Sequence, residues 1–253
     1  MKSTHIALIT GGSRGLGKNA ALHLGRAGVD VIVTYRTQKD EAAAVVRELE
    51  SMGRTAALLQ LDVAQTKHFE AFAVALQGTL RSRWSRDRFD YLVNNAGTGL
   101  HRSFLETSEE AFDELYAQHF KGVYFLTQKL VPLMNDGGKI LNVSSGLARF
   151  ALPGYSAYAA MKGAVEVLTR YLAKELGPRR IAVNTLAPGA IATDFGGGAV
   201  RDNPELQAFL SSQTALGRVG MPDDIGGVIA KLLSEGSGWI NAQRIEASGG
   251  FLI

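Results

Sequence analysis

The chain has no cysteine in its 253 residues, which excludes a disulfide framework, a thiolate metal site and a cysteine nucleophile. No metal site is expected. Long apolar runs are missing too: none reaches the roughly 20 residues that span a bilayer. Met1 to Ile9 shows no basic leader ahead of an apolar core, so a cytoplasmic protein without membrane contact is the expectation. Charge of one sign is not in large excess either. The formal net charge is +3, and the basic residues are dispersed apart from Arg81, Arg83, Arg86 and Arg88 around Trp84. A nucleic-acid surface needs its cations gathered on one face or in one tail. A helix end running into a solvated loop is therefore preferred over a polyanion site here, and no nucleic-acid partner is expected.

What is present is apolar material sufficient for a buried sheet, 46% of residues against 20% charged, which makes disorder a poor description. Short β-branched or aliphatic runs recur at His5 to Thr10, Val29 to Thr34, Thr55 to Leu61, Tyr91 to Asn94, Lys139 to Val143, Ile181 to Leu186 and Gln243 to Glu246. Between them lie helical-period segments that include Gly15 to Ala27, Asp40 to Met52, Glu109 to Met134, Ser156 to Leu176 and Asp223 to Leu233. Such alternation predicts βαβ units and a parallel sheet with helices on both faces. No linker divides the chain, so residues 1–253 are read as one domain. Gly196, Gly197 and Gly198 mark a mobile lid over about 190–217. Ligands of open α/β sheets sit outside the carboxyl ends of the strands, where the strand order reverses.

Directly after the first strand comes T-G-G-S-R-G-L-G, Thr10 to Gly17, followed by a helical pattern. Strand, glycine turn and helix are the setting in which a pyrophosphate is held on a helix N-terminus. Gly11 permits the turn, Gly15 lets the backbone approach the pyrophosphate, and Gly17 lets the helix lie close to the strand. This spacing resembles that of the short-chain dehydrogenase/reductase family. Asn94 to Gly97 (N-N-A-G), Tyr158 to Lys162 (Y-A-A-M-K), Pro188 to Thr193 (P-G-A-I-A-T), Asp62-Val63 and the closing Ser248 to Gly250 extend the likeness from end to end. The implied fold is α/β, a single-domain Rossmann-type doubly wound parallel sheet of about seven strands.

The resemblance implies a dinucleotide cofactor touching Gly11, Ser13, Arg14, Gly15, Leu16 and Gly17, then Asp62 and Val63, Asn95, Ala96 and Gly97, and Pro188, Gly189, Ile191 and Thr193. Asp62 is similar to the family residue that meets the adenine amino group, and Ile191 and Thr193 to those that meet the carboxamide. Asn95 is equally readable as a turn former. Cofactor choice rests on charge, since NAD is held by a carboxylate on its ribose and NADP by cations on its 2′-phosphate. Tyr35, eighteen residues beyond Gly17, stands where NAD-preferring relatives carry Asp, and Arg36 follows it. With Arg14 it can grip a phosphate, so NADP(H) is expected in preference to NAD(H). The alternative is two solvated arginines in an NAD enzyme.

Tyr158 and Lys162 are four residues apart and so share one helix face, about 6 Å apart along the axis. The ammonium and the positive oxidised nicotinamide are both expected to favour the phenolate of Tyr158, whose ordinary pKa is near 10. By resemblance, Lys162 also bonds the nicotinamide ribose and Ser145, thirteen residues before Tyr158, orients the substrate carbonyl. Tyr158 would then pass its proton to the carbonyl oxygen. One residue departs from the family: His119 stands where it usually has Asn. It either relays a proton near pH 6.5 or fills space. Leu147, Arg149, Phe150, Leu152, Tyr155 and Phe195 are read as an apolar, partly aromatic substrate pocket.

These readings converge on an NADPH-dependent reductase of a ketone or aldehyde, similar to 3-oxoacyl-acyl carrier protein reductases and related carbonyl reductases. A sugar or polyol dehydrogenase is the alternative enzyme, and a non-catalytic NADP-binding sensor is the alternative of another class. A homotetramer is expected, with the apolar end Phe251, Leu252 and Ile253 buried at an interface.

Overall fold

A computed structural model of the chain describes residues 4–253; of the stretch read for a leader, Met1 to Ser3 lie outside the described residues. Seven strands form one sheet in the order β3-β2-β1-β4-β5-β6-β7. They are β1 Ile6–Ile9, β2 Asp30–Tyr35, β3 Ala56–Gln60, β4 Phe89–Asn94, β5 Met134–Val143, β6 Ala182–Pro188 and β7 Arg244–Ala247. Every pairing is parallel. The order reverses between β1 and β4, which opens a crevice at their carboxyl ends.

Both sheet faces are covered, so the strands read as continuous apolar runs instead of alternating ones. Successive side chains enter opposite cores: Ala7 and Ile9 of β1 join one, Ile6 and Leu8 the other. Helices α1 (Gly15–Arg26) and α2 (Lys39–Ser51) close the first core, in part through Leu24, Val45 and Leu49. Helix α3 (Phe69–Trp84) closes the second with Phe69, Phe72, Leu76 and Leu80. The sequence reading did not include α3 among its helical segments. Its outer face carries Ala71, Val74 and Ala75 in place of charges, which blurs the contrast that marks an amphipathic helix. It ends at Trp84, as expected. Arg81 then pairs with Asp87, and Arg86 with the carboxylate of Asp90.

The long helix expected over Glu109 to Met134 is divided. Helix α4 (Glu109–Tyr116) runs into one π-turn, Ala117–Lys121, before α5 (Gly122–Leu130) continues. Met134 belongs to β5, paired with Phe89 ahead of a register shift. Helix α6 (Ser156–Glu175) carries the Tyr-x-x-x-Lys pair, and α9 (Pro222–Leu233) lies on α1. Between β6 and α9, the short helices α7 (Ala199–Asp202) and α8 (Pro204–Ser212) follow three glycines with left-handed backbone, at φ 61°, 75° and 81°. This segment is tied down at both stems. Gly220 N–H donates to Ala190 O, and Leu216 N–H donates to Gly249 O.

No helix among the described residues is long and apolar enough to cross a membrane. Among the same residues, no group of three or more His, Asp or Glu is placed to hold a metal.

Candidate active site

A cavity of about 700 Å³ opens along the carboxyl ends of the strands. Its floor at one end is the glycine turn. Thr10 Oγ1 accepts from the amides of Asn95 and Ala96, and Asn95 Nδ2 donates to the carbonyls of Thr10 and Gly11, which bolts the turn to the end of β4. A β-carbon on Gly17 would stand 2.2 Å from Gly11 O, so only glycine lets α1 start this close to the strand. At Gly15 nothing lies within 4 Å of such an atom, and the backbone there faces open space. Gly11, Ser13, Arg14, Gly15 and Leu16 all line the cavity; Gly17 is buried behind them.

The second strand places its last residues differently from the sequence expectation. Tyr35 is buried in the core under the sheet, while Arg36 is exposed and lines the cavity with Arg14. Among the described residues neither arginine forms an ion pair with a carboxylate. Asp62 and Val63, Asn95, Ala96 and Gly97, and Pro188, Gly189, Ile191 and Thr193 line the cavity as well.

At the other end, Ser145, Tyr158, Lys162 and His119 converge. Ser145 leaves the end of β5 with its Oγ accepting from Leu147 N–H at 3.2 Å, so its own proton remains free to donate. Lys162 Nζ lies 5.6 Å from the centre of the Tyr158 ring and donates to Val143 O at 2.8 Å. Burial pushes the Tyr158 hydroxyl well above its ordinary range, and the hydrogen bond with Ser145 only partly opposes this. The same burial pushes Lys162 down to about 8. In the protein alone desolvation dominates, and it favours the protonated form of Tyr158.

His119 sits on the π-turn, a distortion found often at functional sites, and is buried with its ring edge-on to Tyr158 at 5.1 Å. Its Nε2 lies 2.7 Å from Thr98 O. A carbonyl only accepts, so Nε2 carries the proton and Nδ1 is a bare acceptor. Nδ1 is buried with no hydrogen-bond partner among the described residues. Burial first, and then the charge of Lys162, push His119 down to about 3. A ring held neutral through the range near pH 6.5 favours the space-filling reading of His119 over the relay. The ring fills space beside Gly97, where a β-carbon would meet it at 2.3 Å.

Of the pocket residues read from the sequence, Phe195 lines the cavity, its ring 5.8 Å from that of Tyr158. Leu147 packs on Tyr158 from outside the cavity wall, and Tyr155 makes an edge contact with His101. Arg149 and Phe150 are turned away, the first onto Glu246 and the second onto Phe251. Leu152 is half-buried beside them in the chain and outside the lining. The sequence reading missed Thr98 and Gly99, which only needed the N-N-A-G segment followed two residues further, and Asp194 and Arg201 of the glycine-rich segment, an ion pair without a sequence signal.

Comparison with known proteins agrees with this fold. The family described as Enoyl-(Acyl carrier protein) reductase matches residues 11–252. The 3-oxoacyl-[acyl-carrier-protein] reductase FabG of Staphylococcus aureus is 35% identical over 252 residues, covering 99% of each chain. Two solved structures superpose with a TM-score of 0.93. One is the promiscuous reductase LugOII, which catalyses keto-reduction at C1 in lugdunomycin biosynthesis, at 36% identity over 100% of both chains. The other is the angucycline C-6 ketoreductase LanV with bound NADP, at 38% identity over 99% of this chain and 96% of that one. With the family match running from the glycine turn to the last residues, the chain belongs to the short-chain dehydrogenase/reductase family of oxidoreductases.

Proposed function

We propose that the protein reduces a ketone or aldehyde with NADPH, and that Tyr158 delivers the proton. The carrying observation is Tyr158, buried beside Ser145 and Lys162 at one end of a cavity whose other end holds two arginines that pair with no carboxylate among the described residues. The residues present fit the cofactor: the open face at Gly15 and the N-terminus of α1 suit a pyrophosphate, and Arg14 with Arg36 suit a 2′-phosphate. When bound, NADPH supplies the hydride that goes to the carbonyl carbon. Ser145 donates a hydrogen bond to the carbonyl oxygen and fixes its direction. Tyr158 then gives up its proton to that oxygen as negative charge develops there, which leaves a phenolate beside the Lys162 ammonium. Lys162 stabilises this anion and is close to its own titration point, so it can pass a proton back to Tyr158 before the next turnover.

The substrate end favours a ring-bearing ketone, since Phe195 presents an exposed aromatic face to the cavity. FabG, LugOII and LanV all carry reductase names, which supports reduction as the direction. Residues 190–217 act as the lid, in the frame of one catalytic domain. Assembly as a homotetramer is part of the same reading. Of the apolar end, Phe251 is buried within its own chain against Phe150, while Ile253 is exposed and available to a partner. Exposed Phe112, Tyr116, Tyr124, Phe125 and Tyr171 on α4, α5 and α6 supply a second apolar surface for assembly. Light scattering giving four chain masses supports this; a monomer overturns it.

The test of function is oxidation of NADPH and NADH, followed by absorbance, with a panel from a linear 3-oxoacyl thioester to fused-ring aromatic ketones. Turnover with at least one ketone is expected, with NADPH bound at least about tenfold more tightly than NADH, or about 1.4 kcal/mol. Tight NADPH binding without turnover across the panel supports the sensor alternative, and equal affinities remove the arginine argument.

A further inference from the structure

Behind the serine that orients the carbonyl, four charged side chains form a continuous chain, and none of them lines the cavity. Glu166 lies on α6 four residues beyond Lys162, on the same helix face. Its Oε1 accepts from Ser144 Oγ at 2.7 Å and from Arg244 Nε at 2.9 Å. Arg244, on the edge strand β7, sends a second nitrogen to Glu246 at 2.8 Å and a third to the backbone carbonyl of Ser145 at 3.3 Å. Glu246 in turn takes two bonds from Arg149, at 2.7 and 2.9 Å, and one from Ser248 Oγ at 2.8 Å. Arg149 ends the chain on Phe251 O at 3.0 Å.

The placement matters because β5 stops pairing here. Ser144 N–H makes a ladder bond to Leu186 O, and beyond it the backbone leaves the sheet. The Ser145 carbonyl accepts from Ala148 N–H, in the short turn that follows, and from Arg244. One guanidinium with three acceptors in fixed directions therefore ties the catalytic helix, the end of β5 and β7 together at a single point. The side chains are mostly buried, 23% exposed at Arg244 and 13% at Glu166, so water screens these bonds less than at an open surface.

We propose that Arg244 is a positioning residue for the reaction: held by Glu166 and Glu246, it sets the direction of Ser145 relative to Tyr158 and hence the approach of the carbonyl oxygen. The inference rests on the reading of Ser145 as the group that bonds that oxygen. A displacement of about 1 Å at a reacting group can cost on the order of 10²-fold in rate. Arg244→Met, which keeps most of the side-chain length, is expected to lower kcat by about tenfold or more while NADPH affinity stays within about twofold. Arg244→Met combined with Glu166→Gln leaves no unpaired carboxylate at Glu166 and preserves its bond from Ser144, so a folded protein is available if the single variant is unstable. It should show the same loss of kcat. Arg244→Lys, which keeps one charge and cannot reach three acceptors, should fall between wild type and Arg244→Met. Wild-type kcat in folded Arg244→Met, with only the melting temperature lowered, would show a merely structural role and overturn the proposal. Ser145→Ala separates the two readings. If it loses turnover while Arg244→Met does not, only the positioning role fails; if it keeps full turnover, the assignment of Ser145 fails and this inference with it.

Discussion

The two ends of the cavity handle charge in opposite ways. At the glycine turn, Arg14 and Arg36 stand in solvent, free of carboxylates among the described residues, beside backbone that faces open space. At the far end Tyr158 and Lys162 are each 5% exposed and His119 1%. An exposed guanidinium keeps its charge and loses little by changing partners, which suits holding an anion that must come and go. A buried group cannot keep its ordinary titration behaviour, because desolvation disfavours the charged form whatever its sign. Thus the phenol is pushed up, the ammonium down to about 8 and the imidazole down to about 3. On the proposed reading, one cavity would hold its cofactor by exposure and ready its proton by burial.

This contrast breaks first at Tyr158. Tyr158→Phe keeps the ring and its contacts with His119 and Phe195 but has no proton to give, so turnover should fall by about 10²- to 10⁴-fold, with NADPH fluorescence titration unchanged. Near-normal turnover with the best ketone would contradict the proton assignment. At the exposed end the expected effect is smaller: Arg36→Ala should weaken NADPH about tenfold and leave NADH affinity as it was. Equal weakening of both cofactors would show that the arginine does not read the phosphate.

The smallest effect is on stability. Folded His119 takes up its proton only near pH 3, whereas the unfolded chain takes one up below about 6.5. Stability from keeping this ring neutral is therefore present above pH 6.5 and is lost as pH falls from there toward 3, at up to about 1.4 kcal/mol per unit. His119→Asn should flatten that part of the curve in urea denaturation at pH 7 and pH 5, without moving the pH profile of kcat near 6.5. A profile that shifts there would restore the relay.

The sequence makes the holding end largely legible, because backbone geometry dictates its residues. A strand, a turn with Gly11 and Gly15, and a helix that packs against Gly11 at Gly17 leave few alternatives in the chain. The four-residue spacing of Tyr158 and Lys162 is legible for the same reason. Side-chain direction is not. Tyr35 and Arg36 are neighbours at a strand end, where one step reverses the face, and the arginine, not the tyrosine, borders the cavity. Arg149 and Phe150 precede the catalytic helix in the chain but turn toward Glu246 and Phe251. Burial is illegible as well, so the sign of the shift at Tyr158 and the neutral state of His119 emerge only with the fold. The π-turn that carries His119 adds one residue to a helical turn, which no apolar repeat in the segment announces.

The division of labour is tested most directly by measuring kcat and NADPH dissociation constant together on Tyr158→Phe and Arg36→Ala. The account predicts a crossed result: Tyr158→Phe loses kcat by about 10²-fold or more and keeps its NADPH affinity, while Arg36→Ala keeps kcat at saturating NADPH and loses affinity by about tenfold. If either variant loses both quantities to a similar degree, the two ends are not separate devices, and the account is contradicted.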